Sequence, residues 1–551
     1  MTPLQELHQA VTDASGDVGP GHGPRATPTL ERPRRPDFGD YSTNAALLLA
    51  PVVGEPPRAV AERLRDALAT RLGGRLAHVE VAGPGFLNLF LDDSWFYDAL
   101  GRVLAAGDRF GAGGATTAER INIEFVSANP TGPLTVAHGR HAAYGDALAR
   151  ILRFHGHQVQ REFYVNDYGT QVVRLAESIR ARALGQPLPP DGYQGDYVTA
   201  LVAPQRASEL DLDALGREAV SACLDMIRAT LQRFGVTFDE WFAERRLHEG
   251  DPDRVRLALD ELERQGELYR HEGALWLRTS AHGDDKDRVL VRSTGEHTYF
   301  ASDVAYHQDK LARGFERLID VWGADHHGYV ARMRAAFEAL GGSPQALELI
   351  ILQFVHLMEG GGRASMSKRR GEYVSLDELI EEIGADAARY FLLARSHDTT
   401  VDLDLDLARA QRADNPVYYV QYAHARIASV LDRAGEPRVQ AALSLFLPDE
   451  DGPPRDDTGT RALEAPERSL LKRIVAWPGE VSEAADRRAP HRIATYALEL
   501  AQEFTAFYRD CRIVGAEPEA LESRRIAIAV AAQRTVARSL DLLGVSAPER
   551  M

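Results

Sequence analysis

Apolar and polar residues alternate with two different periods along the centre of the chain. In the stretch INIEFVSA, Ile121, Ile123 and Phe125 recur at every second position, which is the spacing of a β-strand. The helical spacing that follows places a set of apolar residues on one stripe: Ala143, Ala147, Leu148, Ile151 and Leu152. Between the two lies the turn-rich stretch NPTGPLTVAH. A strand, a loop and a helix N-terminus in this order are typical of a nucleotide-binding crossover.

The same patterns predict a mixed region before this crossover and a helical region after it. FGDYSTNAALLLA, a helix near residues 57–72 and VEVAGPGFLNLFL indicate a small α+β domain that ends at the linker GAGGATT. A polar and largely helical section then covers about residues 171–270. ALWLRT, RVLVRS and YFASDVAYH are predicted strands of the main sheet, and RLIDVWGADHHG is a further predicted strand with polar residues at its C-terminal end. From about Leu376 the chain is predicted to be helical to its end, with an exposed loop at residues 447–459.

At 551 residues, the chain is too long for one hydrophobic core, so we expect several domains. We divide it into an α+β N-terminal domain at 1–112, an α/β domain of Rossmann type with a parallel sheet at 113–395, and an all-α helix bundle at 396–551. The central domain is expected to carry an insertion at about residues 172–290. Ligands are expected where the parallel strands end.

Composition narrows the class of protein and draws attention to rare residues. With 26% charged residues, no apolar run as long as a membrane span and no leader peptide, we expect a cytoplasmic protein without a membrane segment. The net charge of −17 by itself speaks against a nucleic-acid partner. Only four of the 64 basic residues are lysine, and only six residues are asparagine. Each surviving lysine or asparagine is therefore a candidate for a required side chain.

The stretch NPTGPLTVAH has features that suit a nucleoside triphosphate. Gly132 and Pro133 shape the turn, and Ala137 leaves room for a close-packed ring. His138 can donate a hydrogen bond to phosphate beside the positive end of the helix. A lone histidine at this position is also an ordinary helix cap, and spacing alone does not choose between the two roles.

A second stretch, ASMSKRRG, is cationic and follows three glycines. Lys368 is one of the four lysines, and Arg369 and Arg370 follow it directly. A cationic loop of this kind could close on a triphosphate and stabilise the charge that builds on a leaving pyrophosphate. The alternative is a solvated basic turn, although arginine would be expected to replace a purely structural lysine in this composition.

Taken in order, these strings resemble the arginyl-tRNA synthetases of class I. NPTGPLTVAH is similar to their HIGH signature and SMSKR to their KMSK signature. IEFVSANPTG, YVNDYGTQ, YFASDVAYH, WGADHHGY and NPVYYVQYAHAR resemble this family in particular, and FGDYSTN and GPGFLN resemble its extra N-terminal domain. The resemblance implies a ligase that uses ATP to activate L-arginine as arginyl-adenylate, releases pyrophosphate, and transfers the arginyl group to the 3′ end of tRNA-Arg with release of AMP.

The resemblance also implies roles for individual residues. The expected catalytic residues are His138, Lys368 and Thr135. The expected ATP contacts are Thr135, Ala137, His138, Gly323, Asp325, His326, Met366, Ser367 and Lys368. The expected arginine contacts are Glu124, Ser127, Asn129, Tyr299, Asp303 and Asp325. The expected tRNA contacts are Asn44, Phe86, Asn88, Tyr418, Tyr422 and Arg426, so the N-terminal domain is expected to bind the tRNA D-loop and the helical domain the anticodon.

The chemistry of these side chains agrees with an arginine pocket. A guanidinium is planar with five donors, so Asp303, with the ring of Tyr299 one helical turn away, is a suitable partner. Glu124 can neutralise either the α-ammonium or the guanidinium, and the sequence does not choose. Asp303 could instead be a helix N-cap. Tyr418 and Tyr422, at i and i+4, could form one stripe of a core instead of a stacking face for RNA.

The acidic and histidine residues of WGADHHG invite comparison with a metal site. No further ligand set is evident in the sequence, and the two cysteines form no CxxC motif. We therefore expect no protein-bound metal and no tightly bound cofactor, with Mg²⁺ arriving as the ATP complex. We also expect a monomer.

Three signature positions depart from the family pattern. Thr135 stands where the first histidine of HIGH is expected, Ala137 replaces its glycine, and Ser365 replaces the first lysine of KMSK. We therefore expect His138 and Lys368 to carry the chemistry, with a weakened dependence on the first position. The rival interpretations are a non-catalytic tRNA-binding paralogue, a nucleotidyltransferase of related fold, and a class I synthetase for another amino acid.

Overall fold

The computed structural model describes residues 1–19, 26–33, 35–251, 253–363, 374–447 and 462–551. Its N-terminal elements are α1 (Pro3–Val18), β1 (Tyr41–Thr43), α2 (Ala45–Val53), α3 (Pro57–Leu72), β2 (Leu76–Ala82), β3 (Phe86–Leu91) and α4 (Asp93–Ala106). The strands form an antiparallel sheet in the order β1-β3-β2. The predicted α+β character of this region and its helix at residues 57–72 are confirmed.

The central region is built on a parallel sheet. Its elements are β4 (Arg120–Glu124), α5 (Val136–His155), β5 (Gln158–Val165), α6 (Thr170–Ala183), α7 (Tyr197–Leu201), α8 (Pro204–Glu209), α9 (Leu212–Arg233), β6 (Glu240–Ala243), α10 (Arg245–His248), α11 (Arg254–Arg264), β7 (Leu268–His271), β8 (Ala274–Leu277), β9 (Arg288–Val291), α12 (Tyr299–Ala312), β10 (Arg317–Gly323), α13 (Val330–Ala339), β11 (Leu347–Leu352), β12 (Val355–Glu359) and β13 (Gly362–Arg363). The five parallel strands lie in the order β11-β10-β4-β5-β6. The direction of the crossovers therefore reverses between β4 and β10, where a Rossmann-type sheet binds its ligands.

Two predictions about this region are wrong. YFASDVAYH begins helix α12 and is not a strand, because Phe300, Ala301, Val304 and Ala305 form a buried helical stripe that continues beyond the short string. ALWLRT and RVLVRS do form strands, but β7, β8 and β9 make a separate antiparallel sheet. Strand β6 belongs to the main sheet although it lies inside the section predicted to be largely helical.

The C-terminal region is almost entirely helical. Its elements are α14 (Leu376–Ile383), α15 (Ala385–Leu393), β14 (Val401–Asp404), α16 (Leu405–Arg409), α17 (Pro416–Ala434), α18 (Glu436–Phe446), α19 (Ala465–Val475), α20 (Trp477–Asp486), α21 (Pro490–Asp510) and α22 (Glu519–Leu543). The exception is β14, which joins the small sheet β13-β12-β14. The predicted loop at 447–459 lies, apart from its first residue, outside the described residues. None of the helices in the described ranges is long and apolar enough to cross a membrane.

Helix α5 connects the central sheet with the helical region. Its predicted apolar stripe is completely buried: Ala143, Ala147, Leu148, Ile151 and Leu152. Asp146 of the same helix accepts a hydrogen bond of 2.7 Å from the buried guanidinium of Arg389 in α15. Nε of Arg389 donates in turn to the carbonyl of Leu543 at the end of α22. The helix that carries His138 is therefore anchored at its middle to the C-terminal helices.

Candidate active site

The candidate residues lie around one pocket, at the ends of β4 and β10, the start of α5 and the face of α12. Its first wall forms where β4 ends. The strand stops at Glu124, and Val126 and Ser127 then adopt left-handed backbone conformations, with φ of 67° and 39°. Such values are uncommon for residues with a side chain and are typical of functional turns. The Ser127 hydroxyl donates to Glu124 Oε1 at 2.9 Å and accepts from the N–H of Tyr164 at 3.1 Å. Ser127 is therefore occupied in holding Glu124, whereas Asn129 is exposed at the mouth.

His138 lies one turn into α5 and pairs with the cap residue Thr135. The backbone N–H of Thr135 donates to Nδ1 of His138 at 3.1 Å, and the Thr135 hydroxyl lies 3.1 Å from the same nitrogen. Burial lowers the pKa of His138, so the ring is neutral at pH 7. Because Nδ1 accepts, the proton of the neutral ring resides on Nε2. The cap thus leaves Nε2–H as a donor, so the capping role and the phosphate role are compatible.

The end of β10 faces this helix start. A side chain at Gly323 would meet Oδ1 of Asp325 at 2.5 Å and Cε1 of His141 at 3.7 Å, so a Cβ cannot fit there without movement. Asp325 and His326 are exposed in the short 3-10 helix that follows the strand, where a strand was expected to continue. The carboxylate of Asp325 opposes the lowering of the pKa of His138. Gly323 and Asp325 therefore lie near His138, as the sequence suggested.

Helix α12 supplies the opposite wall. Its cap is Thr298, so Asp303 lies inside the helix and is not the N-cap. Tyr299 is 60% exposed, and its hydroxyl lies 3.2 Å from that of Thr170. Asp303 Oδ2 accepts from the Tyr329 hydroxyl at 2.5 Å, and burial raises the pKa of Asp303 to about 6. No lysine or arginine of the described residues pairs with this carboxylate, which leaves it available for a cation.

Two polar residues beside Asp303 were absent from the predicted site. Glu244 is 3% exposed, and its charge contributes to the raised pKa of Asp303. In the amide orientation that satisfies its neighbours, Asn166 donates to Glu244 Oε2 at 2.9 Å and lies 3.2 Å from Oδ1 of Asn129. Asn166 is one of the six asparagines, so the composition already pointed to it. Nothing in the local pattern distinguishes Glu244 from any acidic residue at a strand end.

Two further side chains with nitrogen atoms lie behind the residues that line the pocket. Lys310 is completely buried and lies 2.7 Å from both Glu124 Oε2 and Asp320 Oδ1. His141 lies beside the end of β10, and burial lowers its pKa to about 3. Its Nδ1 has no hydrogen-bond partner within the described part of the chain. The scarcity of lysine is the signal that could have found Lys310.

The residues expected to touch tRNA in the N-terminal region differ in accessibility. Phe86 is 41% exposed at the start of β3. Asn88 is 4% exposed, and its Oδ1 accepts from the Ser42 hydroxyl at 3.0 Å. Asn44 Oδ1 accepts from the N–H of Thr29 at 2.8 Å. The placement therefore favours Phe86 as an RNA contact, whereas the amide oxygens of Asn88 and Asn44 are engaged within the protein.

The C-terminal candidates form a cluster of rings around one guanidinium. Tyr418 and Tyr422 stack with their ring centroids 5.9 Å apart, and the Arg426 guanidinium lies 4.6 Å from the Tyr422 ring and 5.1 Å from the Tyr508 ring. Tyr422 and Tyr508 are 39% and 38% exposed. We call these four residues the ring cluster. It lies at the surface, so Tyr418 and Tyr422 form no stripe of the core, and Tyr508 of α21 is the member that the sequence did not indicate.

The remaining candidates are placed as follows. Ala137 is exposed beside His138. The KMSK-like segment lies outside the described residues, and with it Ser365, Met366, Ser367 and Lys368.

Three family models match the chain in the order that this architecture requires. The model of the tRNA synthetases class I (R) catalytic domain matches residues 100–184 and 211–427. The arginyl tRNA synthetase N-terminal domain matches residues 5–91, and the DALR anticodon binding domain matches residues 420–551. The parallel sheet and its pocket therefore define a class I aminoacyl-tRNA synthetase.

Relatives that span the whole chain narrow the assignment. The arginine–tRNA ligase of Moorella thermoacetica is 45% identical over 95% of this chain and 93% of its own. That of Geobacillus thermodenitrificans is 43% identical over 99% and 98%. The structure of Thermus thermophilus arginyl-tRNA synthetase matches with a TM-score of 0.76 at 25% identity, covering 99% of this chain and 100% of that one. The chain belongs to the arginyl-tRNA synthetase family and is an enzyme of that family; the rival interpretations are not favoured.

Proposed function

We propose that the pocket between β4, β10 and α12 binds arginine and ATP side by side and charges tRNA-Arg in two steps. In the first step, an oxygen of the arginine carboxylate attacks the α-phosphorus, and pyrophosphate leaves. In the second step, a ribose hydroxyl of the terminal adenosine attacks the arginyl carbonyl, and AMP leaves. Neither step needs a covalent bond to the protein, so placement and charge stabilisation carry the reaction.

The observation that carries this proposal is the uncompensated acidity of the inner wall. Asp303 and Glu244 lie close together, and neither pairs with a lysine or arginine among the residues that the structure describes; the basic side chain beside Glu244 is His248, whose Nε2 lies 3.7 Å from Oε1. A buried carboxylate without a cation is costly, and a ligand that brings a guanidinium relieves the cost. Tyr299, at the entrance, offers a ring face for the same group. We assign the guanidinium to this wall.

We then place the α-ammonium of arginine at the end of β4, which is the wall nearest to the proposed ATP site. The end of β4 leads directly to the start of α5, so Glu124 and Asn129 are closer in the chain to His138 than Asp303 is. The reacting carboxylate of arginine must lie beside the α-phosphate, and its ammonium lies one carbon away. Glu124 is already paired with Lys310, so it suits one charged hydrogen bond better than full neutralisation of a guanidinium. The charge of Glu124 also helps to raise the pKa of Asp303, so its carboxylate lies within reach of the guanidinium wall as well.

ATP is proposed to lie across the ends of β4 and β10. The Nε2–H of His138 is directed to the phosphates, where the N-terminus of α5 adds its own N–H groups. Gly323, Asp325 and His326 suit the ribose side, with Ala137 beside the base. Mg²⁺ enters with ATP and is bound mainly through phosphate oxygens. The role of Met366, Ser367 and Lys368 at the leaving pyrophosphate stays a prediction.

For tRNA-Arg, we propose contacts at both ends of the chain. Residues 1–112 would bind the D-loop through Phe86, and residues 396–551 would bind the anticodon loop. The ring cluster suits unpaired bases because every base has a face on which a tyrosine ring or an arginine can stack. We propose that the enzyme acts as a monomer in the cytoplasm, where translation takes place.

The test is ATP–pyrophosphate exchange with each amino acid in turn, with and without tRNA-Arg. We expect exchange with arginine and with no other amino acid. As in most members of the family, we expect this exchange only when tRNA-Arg is present. Exchange with another amino acid would contradict the assignment of Asp303 and Glu244 to a guanidinium. Lysine is the most informative case, because it has a positive charge but no guanidinium.

A further inference from the structure

Three acidic residues lie next to one another across the parallel sheet. Glu124 of β4 pairs in register with Asp320 of β10 on one side and with Glu162 of β5 on the other. Residues paired in this way on adjacent strands are about 5 Å apart and point to the same face. All three are buried, so their mutual repulsion is not screened by water. The sheet can keep this row only if another element supplies positive charge.

Glu162 is satisfied separately from the other two acids. Arg313 donates to both of its carboxylate oxygens, at 2.6 and 2.8 Å. The Tyr306 hydroxyl donates to Oε1 at 2.6 Å, and the Asn122 amide donates to Oε2 at 3.0 Å. Both oxygens of Glu162 are therefore filled, and Lys310 is left to Glu124 and Asp320.

Lys310 and His307, both on α12, complete the row. Lys310 Nζ lies 2.7 Å from Glu124 Oε2 and 2.7 Å from Asp320 Oδ1. His307 Nε2 lies 2.9 Å from Asp320 Oδ2, and its Nδ1 lies 2.8 Å from the carbonyl oxygen of Asp303. Both ring nitrogens of His307 face oxygen acceptors, which is the arrangement of a doubly protonated imidazole. Asp320 thus has a second partner, whereas Glu124 has only Lys310 as a cation within the described residues.

We infer that Lys310 is a positioning residue for arginine activation: it fixes the Glu124 carboxylate in one place and favours its ionised form, so that it faces the cationic substrate. Lys310 itself is completely buried behind Glu124 and does not reach the substrate. The inference rests on the proposed role of Glu124 in arginine binding. With Oε2 held by Lys310 and Oε1 receiving the Ser127 hydroxyl, the carboxylate has one orientation and still has a lone pair on each oxygen for the ligand.

The balance of charges around Glu124 explains why the lysine is needed. Burial is the main cause that raises the pKa of Glu124, and the charge of Asp320 raises it further; Lys310 and, to a smaller extent, His307 act in the opposite direction, and the pKa stays above its ordinary value. The other ionisable groups that face it are Asp303, Tyr306 and His307 from α12 and Tyr164 from β5. Of these only His307 can carry a positive charge, and it is committed to Asp320. Without Lys310, the pKa of Glu124 would rise further, and a protonated Glu124 would lose its attraction for the cationic substrate.

The composition supports a specific need for lysine at this position. Arginine has replaced lysine almost everywhere in the chain, yet Lys310 persists in a closed space with the Tyr306 ring 4.3 Å from Nζ. A compact ammonium can touch two carboxylates at once in such a space, whereas the larger planar guanidinium cannot take the same position.

The test compares Lys310→Met and Lys310→Arg with the unchanged enzyme in aminoacylation of tRNA-Arg. We expect the KM for arginine of Lys310→Met to rise roughly tenfold or more at pH 7, with the KM for ATP changed much less. The rise should shrink as the pH is increased above 7, because a larger fraction of Glu124 is then ionised. Lys310→Arg should not restore the KM for arginine. An arginine KM that is unchanged, or raised equally at every pH, would overturn the inference.

Two controls separate positioning from folding. Lys472→Met removes a different, largely buried lysine, whose Nζ lies 3.2 Å from Asp40 Oδ1 in another part of the molecule, and it should leave the KM for arginine unchanged. The double variant Lys310→Met with Asp320→Asn removes one acid with the cation. We expect it to recover thermal stability while its arginine KM stays raised and pH-dependent. Recovery of a normal arginine KM together with stability would assign Lys310 a purely structural role.

A third variant separates this inference from the proposed function. Glu124→Gln should raise the KM for arginine without the pH dependence of Lys310→Met. If Glu124→Gln leaves arginine binding unchanged, the proposed role of Glu124 fails and this inference fails with it. If Glu124→Gln raises the arginine KM and Lys310→Met does not, only the inference about Lys310 fails.

Discussion

The catalytic pocket and the ring cluster use charge in opposite ways. In the pocket, carboxylates are buried in a row and opposite charges are fixed at 2.7 Å, as for Lys310 between Glu124 and Asp320. In the ring cluster, one arginine lies between exposed tyrosine rings and its guanidinium faces π-systems. A small ligand with a fixed charge requires fixed counter-charges, whereas an RNA loop can be held by faces that accept any base.

The same contrast explains why net charge was a poor guide to the partner. A charge of −17 by itself speaks against a nucleic acid, yet the chain belongs to a family whose C-terminal model is an anticodon binding domain. Part of the acidic count lies in the interior, as for Glu124, Glu162 and Asp320. Net charge adds buried and exposed groups together, and only the exposed ones act on RNA.

The largest effect is expected from Asp303→Asn, which tests the buried side of the comparison. Loss of the carboxylate should reduce kcat/KM for arginine by about 10³-fold or more, because the guanidinium loses its buried partner. Aminoacylation kinetics measure it. Asp309→Asn is the matched control on the same helix, since Asp309 pairs with Arg313 on another face, at 2.9 Å. An arginine kcat/KM within tenfold of normal for Asp303→Asn would remove Asp303 from the site.

His138→Ala comes next and tests whether the helix cap is also a phosphate contact. Removing a fixed donor to a phosphate should lower kcat by about 10²- to 10³-fold. Pyrophosphate exchange with tRNA present measures the step directly, and thermal unfolding measures the lost cap, for which about 1 kcal/mol is expected. Lost stability with near-normal exchange would reduce His138 to a capping residue.

Arg426→Ala and Tyr508→Ala test the exposed side. Each removes one partner of a stack, and stacking of one base contributes about 1–3 kcal/mol, so the KM for tRNA-Arg should rise roughly tenfold. The KM for arginine should not change. Arg487→Ala, a surface arginine that is 69% exposed, is the control. If neither variant alters the KM for tRNA-Arg, the ring cluster does not bind tRNA.

A smaller effect is expected from Thr135→Ala. The backbone N–H of residue 135 still donates to His138 Nδ1 after the hydroxyl is lost, so the tautomer of the ring is preserved. We expect kcat to fall less than about tenfold, in line with the loss of a neutral hydrogen bond. A decrease as large as that of His138→Ala would show that the hydroxyl itself contacts ATP.

The smallest effect at neutral pH is expected from Tyr329→Phe, which shifts a pH profile. Burial raises the pKa of Asp303 to about 6, while the hydrogen bond from Tyr329 lowers it. For the unchanged enzyme, kcat/KM for arginine should fall as the pH drops through 6, because Asp303 binds a proton. Without the Tyr329 hydroxyl the pKa of Asp303 rises further, so the acid limb should move to higher pH. If the acid limb of the pH profile does not move, Tyr329 has no influence on the pKa of Asp303 in the working enzyme.

Much of the fold and part of the site could be predicted from the sequence. The strand at Ile121, the crossover and the apolar stripe of α5 follow from periodicity, because two-residue and 3.6-residue repeats are local signals. Gly323, Asp325, His138 and Asp303 were found through strings that resemble a family. The helix at Tyr299 was predicted as a strand because nine residues are too few to separate the two periods.

By itself, the sequence determined the family, the order of the domains and, through the scarcity of lysine and asparagine, a short set of candidate side chains. Only the tertiary structure decided which partner each one has. Glu124, Asp320 and Lys310 are distant in the chain, and they meet because parallel strands align their ends and α12 crosses the same face. Register and crossover are set by packing between distant segments, so a carboxylate's counter-ion cannot be read from its neighbours in sequence.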